Sequence, residues 1–235
     1  MKLRSLLLAG IAAGLSSLAS AAVMTFQTAP GSELNNLPVN ASATFTTSED
    51  TLTIELTNLQ ANPTSVIQLI SDLLFTFSDD VTGDSTLTSS SATEVTIDSN
   101  GNPTTGGVVS TGWGLEDPSA PTLHLTVLGF DGPSHLVIGP GPYDDANGSI
   151  AGNGPHNPFL MSSPIFTITN DSITANTLIT AMSFSFGTTA GNDVPGVPTT
   201  PDQPVPEPGT LLLLGLALVG LCFARRRKGA TLATY

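Results

Sequence analysis

Apolar and polar residues alternate in short segments through the middle of this chain. Leu52, Ile54 and Leu56 are interleaved with Thr51, Thr53, Glu55 and Thr57. Leu73, Phe75 and Phe77 repeat with the same period of two. So do Val95 with Ile97, Leu123 with Leu125 and Val127, and Met182 with Phe184 and Phe186. That period puts alternate side chains on opposite faces of a strand, so each segment predicts a half-buried strand with Ser and Thr on its wet face. Such segments, separated by Gly, Pro, Asn and Asp, predict an all-β fold: a single antiparallel β-sandwich over residues 22–186. One stretch has two readings. Val66, Ile67, Ile70, Leu73 and Leu74 fit a helical face over 65–71, whereas the aromatic run after it favours a strand over 70–78.

Residues 98–107 and 139–158 are rich in Gly and Asn and hold too few apolar residues to pack as elements, so they read as loops. Residues 187–205 read as a linker. Pro195, Pro198, Pro201 and Pro204 recur every three residues, the period of a polyproline II helix. Residues 195–208 in that form would make a stalk about 43 Å long.

The longest apolar runs lie at the two ends. Lys2 and Arg4 precede an apolar stretch from Leu6 to Leu18, which closes on Ala19-Ser20-Ala21. This is the layout of a cleaved signal peptide, residues 1–21, read by signal peptidase through the small residues Ala19 and Ala21. At the other end, Pro206, Glu207 and Pro208 precede an apolar segment over residues 210–224. The basic cluster Arg225, Arg226, Arg227 and Lys228 follows, and residues 229–235 complete the chain. The segment rises about 22 Å as a helix against about 30 Å of hydrocarbon, a short transmembrane helix that the snorkelling cations help to seat. Those cations hold residues 229–235 in the cytoplasm and leave the body outside, so the expectation is a transient single pass of the inner membrane.

Charge sharpens this division. All six Lys and Arg stand in the two ends, at positions 2, 4 and 225–228. Of the 19 Asp and Glu all but Glu207 lie within residues 22–205, which leaves 19 − 1 = 18 negative charges on the body and no Lys or Arg to pair with them. A surface without a basic patch excludes nucleic acid as a partner. The single cysteine, Cys222, lies in the C-terminal apolar segment, so the body must be held by its core and not by disulfides.

The three-part tail over 206–228 resembles the PEP-CTERM sorting signal of exported proteins in Gram-negative bacteria that make exopolysaccharide. The resemblance implies recognition and cleavage by exosortase, a membrane enzyme resembling a cysteine protease, with Cys222 an apolar residue of the substrate. It further implies release to the cell surface or the extracellular matrix, in association with exopolysaccharide or biofilm. Residues 146–160 (ANGSIAGNGPHNPFL) resemble a stretch of uncharacterised proteins of the same sorted class and bring no activity with them.

Within the body there is no G-x-S-x-G elbow, no H-E-x-x-H and no phosphate-binding glycine loop. His124, His135 and His156 have no metal-ligand spacing. The acidic pairs Glu49-Asp50, Asp79-Asp80, Glu116-Asp117 and Asp144-Asp145 read as solvated loop charges, because a glycosidase needs carboxyls that face each other across a cleft. Asp144, Asp145 and Asn147 ahead of Gly148 offer the oxygen ligands calcium prefers, although Ile150 and the absence of a twelfth-position Glu break the EF-hand pattern. A solvated Asx turn is the other reading of that loop. Trp113 between two glycines and Tyr143 after Gly141-Pro142 are candidates for stacking on sugar rings, or else core residues. The expectation is therefore an exported non-catalytic surface or matrix protein without a cofactor. The alternatives are a carbohydrate-binding module, assisted by calcium, and a secreted hydrolase.

Overall fold

The computed structural model describes residues 21–78, 81–161 and 163–199. Ala19, the acidic pair at 79–80, and every position of the tail over 206–235 lie outside the described residues.

Among the described residues, fifteen strands follow one another with a single 3-10 turn between them. The first half of the chain supplies β1 (Ala22–Thr28), the small hairpin β2 (Glu33–Leu34) and β3 (Leu37–Pro38), then β4 (Ala41–Ser48) and β5 (Thr51–Asn58). After the 3-10 turn at Val66–Gln68 come β6 (Ile70–Phe77), β7 (Thr86–Ile97) and β8 (Pro103–Val109). The remainder forms β9 (Gly114–Leu115), β10 (Thr122–Thr126), β11 (Val137–Ile138), β12 (Phe159–Met161), β13 (Ile165–Thr169), β14 (Ile179–Phe186) and β15 (Asp193–Pro198). Both readings of 65–78 hold in part: a single turn of 3-10 helix, then a strand.

The body is nearly all β and mostly antiparallel, as the period-two segments predict. A sandwich of two separate sheets is not what the pairings show. Thirteen strands form one sheet in the order β11-β12-β7-β13-β5-β4-β1-β15-β14-β6-β10-β9, with β8 on β7, and a pairing of β11 with β6 closes the path into a ring. Two strands make this continuity. β7 pairs with β13 through its first half and with β12 and β8 through its second. β15 pairs with β14 through Asp193–Pro195 and with β1 through Gly196–Pro198.

The residues facing inward carry the stability. Phe45, Phe75, Phe166, Phe184 and Phe186 are fully buried with Leu52, Ile54 and Leu56. Phe26, Phe45 and Phe75 form a chain of ring contacts at 5.8 and 5.3 Å, so β1 and β4 are packed against β6 across the interior. Aromatic pairs at such distances contribute about 0.5–1.5 kcal/mol each beyond their buried area.

One buried amide ties the seam of the ring. Asn58 is fully buried at the end of β5. Its Nδ2 donates to the carbonyls of Gln68 at 2.8 Å and Val137 at 2.9 Å, and its Oδ1 accepts from Gln60 N at 3.0 Å. Gln68 is buried beside it, and its Oε1 accepts from Thr64 N at 2.7 Å. The 3-10 turn and β11 are thereby fixed to the end of β5 by side chains where no ladder joins them.

Two boundaries differ from the sequence reading. The stretch over 187–205 is not wholly linker: β15 lies inside the sheet, and the compact body runs to Thr199. Pro195 and Pro198 are therefore strand residues and not part of a polyproline stalk. Residues 98–107 are not wholly loop either, since Pro103–Val109 pair with β7. The turn before them is ordered by Asp98, whose Oδ1 accepts from Asn100 N at 2.8 Å and Asn102 N at 2.9 Å. Asn102 foremost, through its side chain and its backbone, holds that carboxyl below the ordinary carboxylate range.

Candidate functional site

Polar side chains in a body without Lys or Arg must find other partners, and the histidines supply two of them. Across β10, β6, β14 and β15 runs a line of polar groups made by strand register. Asp72 of β6 stands opposite Thr126 on one side and Ser185 on the other, and Ser185 stands opposite Asp193. Asp72 shares a strand face with Leu74 and Thr76, away from the core, yet its side chain is only 3% exposed. His124 links it to solvent: Nδ1 is 2.7 Å from Glu116 Oε2, and Nε2 is 3.6 Å from Asp72 Oδ2. Ser185 Oγ donates to Asp193 Oδ1, and Asp72 Oδ1 has no hydrogen-bond partner. Burial pushes the Asp72 carboxyl above the ordinary carboxylate range, opposed by the Ser185 hydroxyl and the His124 ring.

His135 repeats the arrangement. Its Nε2 is 2.9 Å from Glu94 Oε1 and its Nδ1 is 2.7 Å from Asp131 Oδ2. The second contact is close enough for an ion pair but is not aligned as a hydrogen bond, which leaves Nδ1 without one. Gly112 makes room for Asp131: a Cβ there would lie 2.6 Å from Asp131 Oδ2, on a backbone with φ of +71°. His156 is different, with Nδ1 2.6 Å from the carbonyl of Ser149. The three histidines therefore have separate partners and do not form a shared centre. His124 and His135 each lie between two carboxylates, which hold the ring in place.

Neither sugar-stacking candidate offers its ring. Trp113 is buried, its ring 5.3 Å from that of Phe166, and its Nε1 donates to the His135 carbonyl at 3.0 Å. Tyr143 is 4% exposed, its hydroxyl donates to Gly139 O at 2.9 Å, and burial raises its pKa. Each ring satisfies its polar atom on a backbone carbonyl and buries the remainder, the common resolution for these residues.

Asp144 and Asp145 are exposed in the turn after Tyr143. Asn147 Oδ1 accepts from Ser149 N at 2.8 Å and from Ser149 Oγ at 2.5 Å. That oxygen is committed to the Asx turn. Among the described residues no group of three or more His, Cys, Asp or Glu is placed to hold a metal ion. An open depression of about 390 Å³ is lined by Leu128, Gly129, Gly132, Pro133, His156 and Thr188, and a second of about 280 Å³ lies around Asp84 and Asn170. Neither reaches Asp72.

The carboxyl at Asp72 had one sequence signal, an acid set between Ile70 and Leu73 in the most apolar stretch of the body. Its partners lie on other strands and had none. Ala21, beside the predicted cleavage point, is described, and Ala22 N donates to Ala175 O at 3.0 Å.

Compared with known proteins, the chain matches the PEP-CTERM protein-sorting motif over residues 204–228. No curated protein and no solved structure matches it. The match includes Pro206, Glu207, Pro208 and the basic residues Arg225, Arg226, Arg227 and Lys228. It implies processing by exosortase, and export with membrane-associated transit to the cell surface.

Proposed function

We propose that the all-β body is a non-catalytic protein of the cell surface or extracellular matrix, delivered there by exosortase and held in association with exopolysaccharide. The supporting observation is the sorting motif at residues 204–228, directly behind a body that ends at Thr199. A negative body free of Lys and Arg suits this place, since it stays soluble and resists close association with its own kind. His124 and His135 are each set between carboxylates, an arrangement that favours a binding or structural role over hydrolysis.

Deleting the host's exosortase tests the route. The expected result is a precursor with its tail attached, retained with the membrane fraction, where the parent strain places processed protein outside. Identical processing and location in both strains would overturn the reading. Turnover of a polysaccharide, abolished by Asp72→Asn, would move the protein to the hydrolases.

A further inference from the structure

We propose that the outer face formed by β1, β4, β5, β13 and the first half of β7 binds an uncharged polysaccharide chain. This rests on the surface-protein reading above and names the face and the ligand chemistry.

Four strands carry the same tripeptide pattern: Thr44-Phe45-Thr46, Thr51-Leu52-Thr53, Thr167-Ile168-Thr169 and Thr86-Leu87-Thr88. Phe45, Leu52 and Ile168 are in the core, so the flanking threonines of their strands point outward. Register then assembles them. Thr46, Thr53, Thr167 and Ser89 stand in one row across the strands, and Ser48, Thr51, Thr169 and Thr86 in the next. Thr25 and Thr44 extend the array onto β1, with hydroxyl oxygens 3.1 Å apart. Rows of this kind repeat about every 4.8 Å across strands and about 6.7 Å along them.

Threonine is a good strand former, so its presence alone decides nothing. The distribution of charge does. Of the outward strand positions on this face only Glu55 bears a carboxylate, although the body carries 18 of them. The strands across the core have the same backbone requirements, yet their outer sides carry Asp72, His124 and Asp193. The neutral hydroxyl surface belongs to one face. In a body of this charge it is the outer side with the fewest carboxylates, which a neutral polymer approaches with the least desolvation of charge. An anionic polymer finds no Lys or Arg anywhere on the body to hold it.

Sheet twist of about 20–25° per strand rules against a flat crystalline partner and suits a flexible chain that follows the surface. A second copy would bring two strongly negative bodies together and bury hydroxyls without partners. With Trp113 and Tyr143 in the core, recognition falls to hydroxyl hydrogen bonds at about 0.5–1.5 kcal/mol each, so binding is weak per sugar and grows with chain length.

Affinity electrophoresis of the exported protein in gels holding a soluble neutral β-glucan, or alginate as an anionic polymer, tests this. The neutral polymer is expected to retard the parent protein. The double variant Thr53→Val/Thr167→Val keeps strand-forming side chains, removes two central hydroxyls, and is expected to weaken retardation about ten-fold in Kd. Ser183→Glu, on the opposite outer side, should change it less than about two-fold. Melting curves establish that each protein is folded, and single Thr53→Val serves if the double variant is not. Retardation by alginate alone, no retardation by either polymer, equal retardation of the folded valine variant, or a dimer in sedimentation that the variant abolishes would each overturn the proposal. Exosortase-dependent location is scored on the same variants, so a failed face with intact sorting leaves the sorting route standing.

Discussion

Replacing Asn58 with leucine keeps the side chain's volume in the core and removes three hydrogen bonds. The carbonyls of Gln68 and Val137 lose a donor at 2.8 and 2.9 Å, and Gln60 N loses an acceptor at 3.0 Å. A buried polar group left unmade costs about 1–3 kcal/mol. Two of the three are carbonyls with a second lone pair, so the total is about 2–5 kcal/mol. Against a whole stability of about 5–15 kcal/mol that is a large fraction. For a body of this size it lowers Tm by about 4–20 °C. The assay is thermal unfolding followed by circular dichroism, beside Asn58→Asp, which keeps the acceptor for Gln60 and loses both donors. The aspartate variant should fall at least as far, because it sets a carboxylate against two carbonyls. A leucine variant melting within about 1 °C of the parent would refute the claim that side chains fix this seam.

Asp72 gives a pH prediction with a definite sign. Burial raises its native pKa, so the native state binds the proton more tightly than the unfolded chain. Its contribution is complete below the unfolded value of about 3.9 and is lost as pH rises through the native value. Asp72→Asn should therefore gain stability relative to the parent as pH rises from about 4 to about 7, measured as Tm against pH. Gly112→Ala should lower Tm by several degrees, because its Cβ meets Asp131 and its backbone is left-handed. A melt within about 1 °C of the parent would count against that packing. Adding calcium is expected to leave Tm unchanged, given the commitment of Asn147 to Ser149. A rise in Tm removed by Asp144→Asn or Asp145→Asn would assign an ion site to that loop instead. Trypsin should cut only near the two ends even after denaturation, and mass spectrometry of digested surface protein then reports whether residues 225–228 remain.

The strands with regular alternation were legible because one face of each meets the core. Leu52, Ile54 and Leu56 on β5 show it, as do Leu73, Phe75 and Phe77 on β6. β15 was not legible, since two prolines and a glycine in Asp193–Pro198 read as linker. The structure tolerates them because each half of this strand pairs on one side only, first with β14 and then with β1, so each proline has an edge at its disposal. The tail was legible from local order alone. The braced histidines were not: His135 meets Glu94 from 41 positions away, a contact that only topology provides. Trp113 and Tyr143 kept two readings open for a simpler reason, since nearby glycines are compatible with a ring turned outward or in; the structure takes the core reading.

The place of β15 between β1 and β14 has a consequence in time. A chain that enters the export channel by its N-terminus delivers β1 first and residues 193–198 last, immediately ahead of the sorting motif. Until then β1 and β14 each present a strand edge with no neighbour, the form of a sheet most open to pairing with another chain. The last segment to emerge therefore closes the wall of the body. For a chain threaded in that order, completion of the fold and emergence of the sorting motif fall within a few residues of each other.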